Sequence, residues 1–236
     1  MTGAPAGKRV LVTGAGSGIG LAAFRAFLAE EAVAIGLDLK IPADAPGEIV
    51  VVDIAREAEI VACVGAIARR SGRIDILVNS AGIEIEGTLA GLDAADFDRM
   101  YAVNVRGSAL VAREALLAMP DGGRIINVAS ELAYLGRAGA SAYCATKGAI
   151  LSMTRSWARE LAPRILVNAV APGPIDTPLL HFDDLAPELQ ALETANPLGR
   201  IGRPEEVAAA ILFLAGPGAS FMTGQCIAVD GGAAMR

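Results

Sequence analysis

Short runs of β-branched and other apolar residues recur along this chain with helical stretches between them, and that alternation constrains the fold most. Residues 8–13, 33–38, 49–53, 74–79, 124–129, 165–170 and 226–229 read as seven strands. Most are apolar at consecutive positions, as a parallel strand covered by helices on both faces must be. Helical patterns fill the gaps at 19–31, 56–70, 94–119, 142–161 and 204–215. Pro204 followed by Glu205 and Glu206 makes a favourable helix start, because proline suits the first turn and carboxylates suit the positive end of the dipole. Strand and helix alternating from end to end predict one α/β domain over residues 1–236: a doubly wound, seven-stranded parallel sheet with helices on both faces.

Two segments break the rhythm. Residues 40–48, with Pro42, Pro46 and Gly47, stand where a crossover helix is expected and read as a bare loop. Residues 172–203 are rich in Pro and Gly and read as a long connection, which in a compact domain is usually functional; a substrate lid is expected there.

Composition excludes several classes of function. With 26 acidic against 20 basic residues the net charge is −6, which argues against non-specific binding to nucleic acid or to an anionic membrane. No apolar run reaches the length of a membrane span, and residues 1–8 lack a signal-peptide core, so a cytoplasmic protein is expected. Cys63, Cys144 and Cys226 are widely spaced and odd in number, which reads as reduced thiols. His181 is the single histidine, and no metal site is expected.

The first strand runs into Thr13-Gly14-Ala15-Gly16-Ser17-Gly18-Ile19-Gly20, where a helix opens. Glycines at such a turn let the backbone approach a pyrophosphate, and the helix N-terminus offers unpaired N–H groups and a positive dipole. The spacing is GxxxGxG at Gly14, Gly18 and Gly20, so the strict GxGxxG fingerprint is absent. Asp38 ends the second strand eighteen residues after Gly20, where an acid hydrogen-bonds ribose hydroxyls and repels a 2′-phosphate. NAD is therefore the expected cofactor. Lys40 is the one nearby cation that weakens this choice.

From these residues onward the sequence resembles the short-chain dehydrogenase/reductase family, of the single-domain type with a TGxxxGxG loop. Asp53-Ile54 is similar to the family's adenine-contacting acid segment, and Asn79-Ser80-Ala81-Gly82 to its NNAG segment with Ser80 in place of the second Asn. Asn104 matches the family's catalytic asparagine, Ser130 stands thirteen residues before Tyr143, and Tyr143 to Lys147 is YxxxK. Pro172-Gly173, Ile175 and Thr177 resemble the segment that holds the nicotinamide carboxamide and pyrophosphate, and Val229-Asp230-Gly231-Gly232 the C-terminal motif. The resemblance implies cofactor contacts at Gly14, Ser17, Gly18, Ile19, Asp38, Asp53, Ile54, Asn79, Ala81, Gly82, Tyr143, Lys147, Pro172, Gly173, Ile175 and Thr177. It also implies a homodimer or homotetramer built on helices 94–119 and 142–161.

Positions i and i+4 share a helix face, which sets Lys147 beside the Tyr143 phenol. An ammonium there, joined by oxidised nicotinamide, is expected to lower the phenol pKa toward the working range. Tyr143 then exchanges a proton with an alcohol or ketone as hydride moves. By resemblance Ser130 orients the substrate oxygen and Asn104 holds a water that links Lys147 to solvent. Each residue alone has a plainer reading: a packing tyrosine, a strand-end serine, a backbone-bonding asparagine. Cys144 reads as a buried structural thiol, and Trp157 and Met153 as core or subunit contacts.

The substrate is expected to meet Ser130, Leu132, Tyr143 and His181 in a mostly apolar pocket. Its walls are residues 131–134, 138–140, Pro174 and the lid from 177 to 198. An NAD-dependent dehydrogenase acting on a small secondary alcohol or ketone is the leading expectation. A 3-oxoacyl-carrier-protein reductase using NADPH and a non-catalytic dinucleotide-binding regulator stand as alternatives.

Overall fold

The computed structural model describes residues 5–235 and contains one seven-stranded parallel sheet. Its strands are β1 (Arg9–Thr13), β2 (Val33–Asp38), β3 (Ile49–Val51), β4 (Ile76–Asn79), β5 (Gly123–Val128), β6 (Ile165–Pro172) and β7 (Cys226–Val229), in the order β3-β2-β1-β4-β5-β6-β7. Met1–Ala4 and Arg236, included in the expected domain, lie outside the described residues. The helices are α1 (Gly18–Ala29), α2 (Glu57–Ser71), α3 (Ala94–Tyr101), α4 (Ser108–Leu116), α5 (Leu132–Leu135), α6 (Ser141–Leu161), α7 (Pro187–Glu193) and α8 (Pro204–Ala215).

Alternation along the strands builds two cores rather than one. Val10, Val12, Ile76, Val78, Ile126 and Val128 face α1 and α8, where they meet Phe24, Phe27, Val207, Ile211 and Leu214. Leu11, Leu77 and Ile125, one residue out of phase, face α2 and α4 on the other side, against Ile60, Val64, Val111 and Ala115. Side chains point to opposite faces at successive strand positions, so a strand apolar throughout can hold helices on both.

Several expected boundaries move, each for a local reason. β3 stops at Val51 because Asp53 turns the chain: its Oδ1 accepts the Ala55 N–H at 2.9 Å. β6 runs on to Pro172, since Ala169–Pro172 pairs with β7. The helix expected over 94–119 is interrupted by a π-helical turn, Ala102–Gly107, between α3 and α4. Residues 40–48 carry no helix, as expected. The connection after β6, read from the sequence as a long lid with no strand, contains a 3₁₀ turn, Phe182–Asp184, and α7.

The strand order reverses beside β1, whose neighbours are β2 and β4. In an open parallel sheet that reversal leaves a crevice beyond the strands' carboxyl ends, because successive crossovers depart to opposite sides.

Candidate active site

A cavity of about 730 Å³ fills this crevice, running from Asp38 and Asp53 past Tyr143 to the connection after β6. The volume lies within the range that holds a cofactor with a small molecule.

At one end the glycine turn is built to be crowded. A Cβ on Gly20 would lie 2.0 Å from the Gly14 carbonyl oxygen, and one on Gly16 2.8 Å from the Asp38 carboxyl carbon. Asp38 Oδ2 accepts the Gly16 N–H at 2.8 Å and Oδ1 accepts the Lys40 N–H at 3.1 Å, which aims the carboxylate at the mouth of the turn. Thr13 Oγ1 accepts the N–H groups of Ser80 and Ala81, each at 3.0 Å, and so joins the ends of β1 and β4. Ser17 precedes α1 without capping it by its side chain, and the first turn has no carboxylate. The first N–H groups of α1 are thus left to an external anion.

Gly14, Ser17, Gly18, Ile19, Asp38, Asp53, Ile54, Ala81, Gly82, Pro172, Gly173, Ile175 and Thr177 all line the cavity. A nicotinamide dinucleotide fits these residues: uncapped N–H groups for the pyrophosphate, carboxylates for a ribose, and a clear path to Tyr143. Asn79 is placed differently. It is buried at 3% exposure, its amide donates to Asn127 Oδ1 at 3.0 Å, and it does not line the cavity.

Ser130, Tyr143 and Lys147 stand together at the other end. Lys147 Nζ lies 5.6 Å from the centre of the Tyr143 ring. Ser130 Oγ accepts the Leu132 N–H at 3.1 Å and also makes a side-chain hydrogen bond with Tyr143. Burial lowers the Lys147 pKa to about 8, opposed by the Glu84 carboxylate. The protein groups around the Tyr143 phenol act on it in the other direction. Burial first, and Glu84 second, push its pKa up, while the Ser130 hydrogen bond pulls it down. The chain's own groups therefore favour the protonated phenol, because desolvation penalises the charged form more than these neighbours offset.

Asn104 sits in the π-helical turn at 1% exposure. Its Oδ1 accepts the Ile83 N–H at 2.8 Å, and its Nδ2 donates to the Ile83 carbonyl at 2.9 Å and to Thr146 Oγ1 at 3.0 Å. The side chain is thereby fully engaged in fixing the β4 loop against α6. A Cβ on Gly82 would meet both Asn104 Oδ1 and Lys147 Nζ at 3.4 Å, so the two groups flank the same residue.

The Tyr143 end has the expected apolar walls, from Leu132, Pro174, Leu179, Leu180, Leu185 and Leu189, and also carries charge that was not expected. Glu131, Leu132 and Pro174 line it as expected, but Ala133, Tyr134 and residues 138–140 do not. Glu84, Glu86 and Arg137 do, none of which had a role in the sequence reading, and so does Glu193 from the expected lid. Arg137 donates to Glu193 at 2.6 Å and to Glu86 at 2.8 Å. These partners are more than fifty positions from it in the chain, so no local pattern announces them. His181 reaches the cavity rim, yet its side chain is 65% exposed and its Nδ1 lies 3.7 Å from Asp184. Cys144 is half-buried beside Met100 and Tyr143, and burial raises its thiol pKa. Trp157 packs into the α2–α4 core and Met153 against Ile150 and Leu151.

Residues 14–234 match a family model described as enoyl-(acyl carrier protein) reductase. A 3-oxoacyl-[acyl-carrier-protein] reductase of Thermotoga maritima is 40% identical over 243 residues, covering 96% of this chain and 97% of that protein. This chain belongs to the short-chain dehydrogenase/reductase family. Among solved structures, a short-chain dehydrogenase/reductase of Brucella melitensis described as a glucose/ribitol dehydrogenase aligns with TM-score 0.92 and 35% identity, covering 98% of each chain. A 3-ketoacyl-(acyl-carrier-protein) reductase of the same organism, complexed with NADH, aligns with TM-score 0.87 and 34% identity over 98% of this chain and 100% of that one. The chain is thus a Rossmann-type oxidoreductase of this family, and no helix of the described residues is long and apolar enough to cross a membrane.

Proposed function

We propose that this short-chain dehydrogenase/reductase is an NAD-dependent enzyme that interconverts a secondary alcohol and its ketone, with Tyr143 as general acid and base. The observation that carries this reading is one continuous cavity lined by the glycine turn, Asp38 and the Ser130/Tyr143/Lys147 group.

Bound in this cavity, the nicotinamide supplies the hydride acceptor or donor. The chain supplies the rest. Ser130 and the Tyr143 hydroxyl hold the substrate oxygen between them. In ketone reduction Tyr143 gives its phenolic proton to the developing alkoxide; in alcohol oxidation the phenolate takes the hydroxyl proton. Lys147 is buried at 5% exposure and donates to the Val128 carbonyl at 2.9 Å, which fixes its charge near the phenolate. Asn104 fixes the loop that bounds Lys147 and, as the resemblance implies, stands on the route by which the proton reaches solvent.

NAD is favoured over NADP because Asp38 projects its carboxylate at the ribose end. The cationic side chains lining the cavity are Arg99, Arg137 and Lys147, and none comes from the glycine turn or the end of β2. The likeness to the Thermotoga reductase supports a second reading, reduction of a carrier-bound 3-oxoacyl group with NADPH. Thermal stabilisation by NAD⁺ and NADP⁺ separates the two, and stronger stabilisation by NADP⁺ would overturn the first. A purely regulatory dinucleotide-binding protein is disfavoured by the assembled Ser130/Tyr143/Lys147 group. A panel of secondary alcohols, read by reduced-nicotinamide absorbance, tests for turnover directly.

The enzyme is further proposed to be cytoplasmic and to form a dimer or tetramer. Tyr101 at 46% and Leu117 at 82% exposure leave apolar surface along the α3–α4 segment for a second copy. Light scattering after gel filtration measures that state.

A further inference from the structure

One carboxyl group in the cavity wall has no task in the chemistry above. Glu131 follows Ser130 directly, is 7% exposed and lines the cavity. Its main-chain N–H donates to the Pro172 carbonyl at 2.9 Å, holding the residue on the end of β6. A Cβ on Gly173 would stand 2.9 Å from Glu131 Oε2, so the carboxyl packs directly on that backbone. Oε2 is fully buried and has no hydrogen-bond partner among the described residues. Arg137, whose charge acts on Glu131, is itself engaged by Glu86 and Glu193. A carboxyl group withdrawn from water without a partner is costly; with Oε2 sealed against Gly173, a donor in the cavity reaches the group at Oε1 and offsets part of that cost.

The surroundings restrict the donor. Glu84, Glu86 and Glu193 share this end of the cavity with Glu131; the Arg137 guanidinium is held by Glu86 and Glu193, and the other cationic side chains of the cavity wall are Arg99 and Lys147. An anionic substrate meets repulsion there, whereas a hydroxyl hydrogen finds an acceptor. Burial, together with the charges of Asp230 and Glu193, raises the Glu131 pKa to about 7, so the group offers an acceptor in either protonation state.

We propose that Glu131 is a specificity-determining residue that accepts a hydrogen bond from a second hydroxyl of the substrate, which makes the substrate class polyhydroxylated alcohols and their ketones. This rests on the alcohol–ketone activity proposed above. The likeness to a protein described as a glucose/ribitol dehydrogenase agrees with such a class. A site that holds an acceptor for a hydroxyl discriminates against the analogue lacking it, because the acceptor is then left unpaired.

Three alcohols that share a ring and a reacting carbon test the assignment: cyclohexanol, cis-1,2-cyclohexanediol and 4-hydroxycyclohexanecarboxylate. Wild-type enzyme is expected to favour the diol over cyclohexanol by about tenfold or more in kcat/KM, and to accept the carboxylate least. Glu131→Leu is expected to bring the diol-to-cyclohexanol ratio close to unity, mainly through the KM for the diol, and Glu131→Gln to retain part of it. NADH fluorescence titration reports whether each variant is folded. Should Glu131→Leu fail to fold, the wild-type order and the Glu131→Gln ratio carry the test. The assignment is overturned if wild type prefers cyclohexanol or the carboxylate, if Glu131→Leu leaves the ratio unchanged, or if another secondary alcohol is oxidised and none of these three. An enzyme that oxidises no secondary alcohol at all defeats the activity proposed above instead.

Discussion

Lys147 Nζ donates to the main-chain oxygen of Val128 at 2.9 Å and stands 5.6 Å from the centre of the Tyr143 ring. The last residue of β5 thus fixes a cation from α6 beside the phenol, and the sheet sets the geometry of this pair.

Tyr143→Phe keeps the ring and loses the phenolic proton proposed to be exchanged with substrate. Turnover is expected to fall by about 10²- to 10⁴-fold, the range of general acid–base catalysis, with NADH binding retained in a fluorescence titration. Near-wild-type turnover would rule out Tyr143 as the acid and base.

Burial sets the Lys147 pKa to about 8, against an ordinary value of 10.5. A base whose folded-state pKa is depressed destabilises the fold fully below about pH 8. That cost fades as pH rises toward 10.5, where the unfolded chain also loses the proton. Lys147→Met is therefore expected to gain on wild type at neutral pH by an amount of order 3 kcal/mol, less what the lost Val128 hydrogen bond contributes. Urea unfolding of both proteins should show the gap closing between pH 8 and pH 10.5; a constant gap refutes the assignment.

Glu84 raises the pKa of the Tyr143 phenol. Glu84→Gln removes that negative charge, so the acidic limb of the pH profile for alcohol oxidation is expected to move to lower pH. Stopped or continuous assays across the neutral to alkaline range read the shift, and movement to higher pH contradicts it.

Asp38→Ala removes the carboxylate proposed to face the cofactor ribose. The preference for NAD⁺ over NADP⁺ is expected to narrow by about tenfold, or about 1.4 kcal/mol. Calorimetric titration with both cofactors measures the ratio, and an unchanged ratio places the selectivity elsewhere.

Arg137 pairs with Glu193 of α7 at 2.6 Å, and Glu193 is only 6% exposed. Arg137→Met strands that carboxylate in the interior, a loss of about 3–5 kcal/mol for a buried pair. The connection carrying α7 is expected to loosen first, so limited proteolysis should cut between 176 and 201 in the variant before wild type. Equal cleavage of both proteins would show that this ion pair does not pin the lid.

The sequence by itself determined the layered fold, because strands apolar on both faces and helices of matching period have few other arrangements. The glycine turn, Asp38 and the Ser130, Tyr143 and Lys147 set were also legible, from short-range spacing and ordered motifs, and the structure brings them to one cavity. Tertiary structure decided what depends on contacts between distant segments. It drew the Asn79 amide to Asn127 and that of Asn104 to Ile83 and Thr146. It also brought Arg137 to Glu193 and left Glu131 unpaired in the cavity wall. The direction of the Tyr143 pKa shift belongs with these, since the desolvation that sets it arises only when Ile83, Ile85, Phe97, Met100 and Leu132 pack around the residue. Spacing along a helix brings a lysine to a tyrosine; only packing fixes how much water remains between them.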